Sequence, residues 1–65
     1  MIMYAAIGND GLGLVVWGVG QSPDEALADA SRWTNDKPSD LEIAKISLSQ
    51  YRRVLEGETS WPMTE

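Results

Sequence analysis

The chain contains no cysteine, no histidine and no phenylalanine in its 65 residues. Without cysteine there can be no disulfide staple and no thiolate metal site. Without histidine the commonest transition-metal ligand and the commonest general base are missing. Basic residues are few: five Lys and Arg stand against ten Asp and Glu, for a formal net charge of −5. Nucleic-acid affinity is drawn largely from Lys and Arg against phosphate, so direct nucleic-acid binding is not expected. No apolar run approaches the ~20 residues of a membrane-spanning helix, and Met1-Ile2-Met3-Tyr4 has no basic start ahead of a long apolar stretch. A soluble, cytoplasmic protein is therefore expected, with no cofactor and no membrane partner.

Hydrophobic residues make up 43% of the chain, and three tryptophans and two tyrosines supply its aromatic mass. That is enough for one folded domain, but a domain of this size buries only ~60% of its unfolded surface. Its stability must come from the core itself or from self-association, so a homodimer is one expectation.

Apolar residues 2–7 predict a buried strand, Gly8-Asn9-Asp10-Gly11 a turn, and residues 12–19 a second strand. Ser22-Pro23-Asp24-Glu25 opens a helix: serine caps, proline takes the first helical position, and Glu25 completes a capping box. The helix is expected to reach Trp33 or Thr34, burying Ala26, Leu27, Ala30 and Trp33 and exposing Asp29 and Arg32. Thr34 to Asp40 reads as a loop. Residues 41–46 follow as a third strand, with Leu41 and Ile43 on one face and Ala44 and Ile46 on the other, which requires cover on both faces or a bulge. Ser47 and Gln50 form a second capping box, Ile46 and Tyr51 a hydrophobic staple, and Gly57 a helix terminator, with Leu48, Tyr51 and Leu55 facing inward.

The fold class is thus α+β, in the order β-β-α-β-α over residues 1–57, with a polar tail at 58–65 containing Trp61 and Met63. A parallel crossover would set the third strand beside the second. The preferred sheet is antiparallel in order 2-1-3, because the first strand is the most continuously apolar and belongs in the centre.

The residues with chemical interest are carboxylates and tryptophans. Asp24, Glu25 and Asp29 share one helix and Asp36 follows, but no calcium-loop spacing links them. Capping and the helix dipole already account for Asp24 and Glu25. The serines have no histidine to activate them, so no catalytic residue is assigned and an enzyme is not expected. Gly18-Val19-Gly20 before a helix lacks the third glycine of a dinucleotide loop, and adjacent carboxylates would repel phosphate. Arg52-Arg53 reads as a solvated face. Trp17 and Trp61 have two readings: partner anchors, or internal cover supplied by the second helix and the tail. On strand 2, Val15, Trp17 and Val19 are expected on one side and Leu14 and Val16 on the other. The residues assigned to partner binding are Trp17, Asp24, Glu25, Asp29, Asp36 and Trp61.

Gly18-Val-Gly20-Gln-Ser22-Pro-Asp-Glu-Ala26-Leu-Ala-Asp-Ala30 resembles the strand-to-helix segment of HicB-like antitoxin domains, in which Gly-x-Ser/Thr-x-Glu-Glu-Ala opens the helix of a small β-β-β-α-β fold. That family's Pro-x-x-x-Gly-Cys stretch is missing here, as are one strand and an appended DNA-binding domain. The resemblance implies a non-enzymatic, partner-neutralising module. The leading expectation is a small acidic protein-binding module, an inhibitor masking a basic nucleic-acid-binding protein in the manner of phage or anti-CRISPR proteins. A stand-alone HicB-like antitoxin is the alternative. A small enzyme or metal-binding domain using carboxylates is a third.

Overall fold

The computed structural model describes residues 1–63. Three strands, β1 (Ile2–Asn9), β2 (Leu14–Gly20) and β3 (Glu42–Ser47), form an antiparallel sheet in the order β2-β1-β3. Helix α1 (Pro23–Ala30) follows β2, a short 3-10 turn (Pro38–Asp40) precedes β3, and α2 (Leu48–Leu55) follows it directly. The α+β class, element order and strand order match the expectation. β1 is central because it offers buried residues to both faces: Met3, Ala5 and Ile7 to one, Ala6 to the other.

The two faces are packed differently. On one, Met3, Ala5, Ile7, Val16, Val19 and Ile46 form the larger core, covered by Leu48, Tyr51 and Val54 of α2 and by Trp61 and Met63. On the other, α1 presents Ala26 and Ala30 to Ala6 at close range. Small residues make that approach: a Cβ built on Gly18 would lie 2.2 Å from the Ala30 backbone nitrogen and 2.5 Å from the Ala26 carbonyl oxygen. Covering both faces of the sheet explains the mixed pattern of β3, which has Ile43 packed on the α1 side and Ala44 and Ile46 on the α2 side with regular pairing to β1.

The bulge lies in β2 instead. Ala6 pairs with Gly18 and Ile7 with Val16, so Trp17 is the extra residue. An inserted residue reverses the alternation beyond it. Val16 and Val19 therefore share the α2 face, while Trp17 lies on the α1 face among Ala6, Leu41 and Ile43. This corrects the expectation that Val15, Trp17 and Val19 point the same way. The hairpin turn also falls two residues later than expected, at Asp10–Gly13. Asp10 Oδ1 accepts from the Leu12 and Gly13 amides at 2.8 and 3.0 Å, and Asn9 Oδ1 from Gly11 at 2.7 Å.

Ser22 caps α1, its hydroxyl accepting from the Glu25 amide at 3.2 Å. The return half of the capping box is displaced: the Glu25 carboxylate accepts from the Gln21 amide at 3.1 Å rather than from Ser22's. Ser22→Ala should cost about 1 kcal/mol, read as a lowered urea midpoint with an unchanged slope. α1 ends at Ala30, earlier than expected, and residues 31–33 tighten into turns with Trp33 N–H donating to Ala30. Trp33 swings out of the core as a result and is 67% exposed. α2 carries the full capping box of Ser47 and Gln50. It closes with Gly57 at φ 108°, where the Gly57 and Glu58 amides donate back to Val54 and Arg53. Val54 faces the core where Leu55 was expected; Leu55, the next residue round the helix, is 64% exposed.

Candidate functional site

The outer edge of β2 would be an open row of backbone groups. Two devices close part of it. Residues 59–61 run alongside Leu14–Val16, with Val16 N–H donating to Thr59 at 2.7 Å and Trp61 N–H to Leu14 at 3.2 Å. Farther along, Val19 N–H donates to Asp29 Oδ2 at 3.0 Å, tying α1 to the strand. Between the two ties lie Trp17 and Gly18, at the bulge.

That gap is the floor of a groove of about 550 Å³. It is lined by Asp29 of α1 and Trp33 just beyond that helix, and by Val54 and Leu55 at the end of α2. Val15 and Asp10 stand at one end. A second hollow of about 490 Å³ adjoins it through Val19, Asp29 and Leu55 and carries Glu25, Arg32 and Tyr51. The lining is therefore mostly apolar, with two exposed large side chains, and its charged residues are mainly acidic. Among the described residues Arg32 is the one cation lining the two hollows, and its Nη1 lies 3.7 Å from Asp29 Oδ1.

Trp17 needs the glycine beneath it. A Cβ on Gly8 would come within 2.8 Å of Trp17 Cδ1 and Nε1, so the indole lies flat across β1 towards Leu41. Its N–H is buried and has no hydrogen-bond partner among the described residues. Leaving such a donor unpaired costs about 1–3 kcal/mol. No bond from the indole offsets that cost, so the ring is held by packing alone.

The residues assigned to partner binding from sequence are only partly brought together. Trp17 and Asp29 border the groove and Glu25 the adjoining hollow. Asp29 is not a free surface charge, because its carboxylate accepts from β2. Asp24 is exposed in the first turn of α1, and Asp36 is exposed in the loop beyond it; neither lines the groove. Trp61 packs on the α2-side core, the internal-cover reading. Trp33 and Leu55 were missed as surface residues because each continues a helical apolar stripe. The signal against Trp33 was the run Thr34-Asn35-Asp36 immediately after it, which favours an early helix end.

Among the described residues no group of three acidic side chains is placed to hold a metal ion, and no helix is long and apolar enough to cross a membrane. No family model, curated protein or solved structure matches the chain.

Proposed function

We propose that this chain is a non-enzymatic protein-binding module whose groove along β2 receives an apolar side chain from a basic partner segment. The observation that carries the reading is the pair Trp33 and Leu55, 67% and 64% exposed, both lining the groove at the gap in the β2 edge. Large apolar residues around a concave site are the usual anchors of a protein interface. Asp10, Asp29 and Glu25 border the two hollows, and the whole chain carries −5, so the field at the groove favours a partner with Lys or Arg. Proteins that bind nucleic acid present such basic surfaces. Masking one of them is the activity that fits this groove, and an inhibitor is the role we assign.

A displayed random-peptide library panned against the protein is the test. Selected peptides should combine Lys or Arg with a large apolar residue, and should shift the NMR signals of Trp17, Gly18 and the Trp33 indole. Trp33→Ala with Leu55→Ala should weaken them about 30-fold or more, the ~2 kcal/mol of an interface hot spot. Both side chains are exposed, so the fold should survive. Peptides that bind elsewhere, or that bind the double variant equally well, would refute the reading.

A further inference from the structure

The two edges of the sheet are treated differently. The β2 edge is tied to residues 59–61 and to Asp29, whereas β3 has a segment with no cover among the described residues. Which backbone groups of β3 face outward follows from the ladder. Val19 N–H points away from β1, so its partner Ala5 directs its own amide and carbonyl towards β3. Ala5 pairs with Ala44, so Ala44 faces β1, and Leu41, Ile43, Lys45 and Ser47 face out. The ends of that outward row are closed locally: Leu41 N–H donates to the Pro38 carbonyl at 3.2 Å and Ser47 N–H to Gln50 Oε1 at 2.9 Å. Ile43 and Lys45 are left, one on each side of Ala44.

We propose that β3 pairs with β3 of a second copy, antiparallel about a two-fold axis through Ala44, giving a continuous six-stranded sheet. Open strand edges are templates for pairing, and this one is self-complementary. A two-fold axis normal to the sheet keeps each side chain on its own face, so the strands can pair only about a residue, not between two. Centred on Ala44, Ile43 meets Lys45 of the second copy and Lys45 meets Ile43. The four open amides and carbonyls of each copy's Ile43 and Lys45 then satisfy one another. Any other centre sets a locally closed residue against an open one.

The side chains agree with that register. Ala44 meets Ala44 on the α2 face, where small residues allow the close approach of a non-hydrogen-bonded pair. On the α1 face, the Lys45 stem lies between Tyr4, its β1 neighbour, and Ile43 of the second copy, with the ammonium free to reach water. α1 leans over β2 and β1, leaving the β3 side of that face to Leu41 and Ile43, which are half-buried. Pairing places a strip of the same composition from the second copy beside it. The two β2 grooves would then lie at opposite ends of the dimer, both open to partners.

Sedimentation across a concentration range should show the mass rising towards twice that of one chain. Amide exchange at Ile43 and Lys45 should slow as concentration rises, while Leu12 in the hairpin turn stays fast. Ala44→Cys then tests the register, in a chain with no other cysteine. A non-hydrogen-bonded pair holds its Cα atoms about 4.5 Å apart, within the range of about 4.4–6.8 Å that a disulfide spans, so oxidation should give a covalent dimer. Glu42→Cys, four residues out of register with its own copy, should not cross-link. A monomer at millimolar concentration would overturn the proposal. So would a dimer whose Ile43 and Lys45 amides exchange freely, or cross-linking by Glu42→Cys in place of Ala44→Cys.

Discussion

Gly18→Ala should destabilise the protein by about 3 kcal/mol, at the upper end of the ordinary cost of overpacking. One methyl group is added, but it has nowhere to go. The nearest atoms are backbone, the Ala30 nitrogen at 2.2 Å, the Ala26 carbonyl oxygen at 2.5 Å and the Ala30 Cα at 2.7 Å. A side chain could rotate away; a helix axis must move. Lifting α1 would strain the Val19-to-Asp29 hydrogen bond and open the contact of Ala26 and Ala30 with Ala6. A domain of this length has of order 3–10 kcal/mol in total, at 0.05–0.15 kcal/mol per residue, so the loss is a large share of it. Gly13→Ala is the matched control. A Cβ there meets nothing within 4 Å and no positive φ is required. It should be neutral, or stabilise by up to about 1 kcal/mol through the unfolded chain. Urea midpoints of the two variants measure the contrast. Equal midpoints would show that α1 does not sit on β2 at this distance.

The same glycine marks where sequence reasoning succeeded and where it stopped. Gly18, Gly20, Ala26 and Ala30 were legible one at a time, as a residue within a strand, the end of that strand and a small apolar face on a helix. That they meet, and so let a helix rest on a strand backbone, depends on register between elements, which local pattern does not carry. The element order and the central place of β1 were readable because they follow from local signals: an unbroken apolar run, a turn tetrapeptide and two serine caps. The Trp17 bulge was not. Period-two alternation assumes one residue per rung, and the insertion at Trp17 turned Val19, the residue assigned beyond it, to the other face. The groove was lost for a related reason. Trp33 and Leu55 both continue an apolar stripe, but α1 ends before Trp33, and α2 turns Val54 rather than Leu55 to the core. Asp29 looked like a solvated charge because its acceptor role needs a strand edge ten residues back in the chain.

Ending the chain at Gly57 should leave the protein mostly unfolded. Residues 58–65 read as a polar tail, but Trp61 and Met63 lie on the larger core beside α2. Trp61 is mostly covered and removes at least ~100 Å² from water, worth ~2.5 kcal/mol at ~25 cal/mol per Å². The two backbone hydrogen bonds from residues 59–61 to β2 add about 1 kcal/mol each. Gln50, almost fully buried, also donates from Nε2 to the Met63 carbonyl at 3.3 Å and would lose that partner. The Arg53–Glu58 ion pair is lost too, but both side chains are partly exposed and it contributes little. The sum, about 4–5 kcal/mol, rivals the whole stability expected of so short a domain. Trp61→Ala alone should give roughly half the effect, because it leaves the strand-like pairing of Val16 with Thr59 intact. Truncation would do more than destabilise: it would reopen β2 between Leu14 and Val16 and expose the valine face beneath, the combination that drives edge-to-edge aggregation. Circular dichroism and light scattering on the shortened chain decide the matter. A truncated protein that unfolds at the wild-type urea midpoint would mean that α2 covers the face unaided and that the tail contributes nothing to the fold.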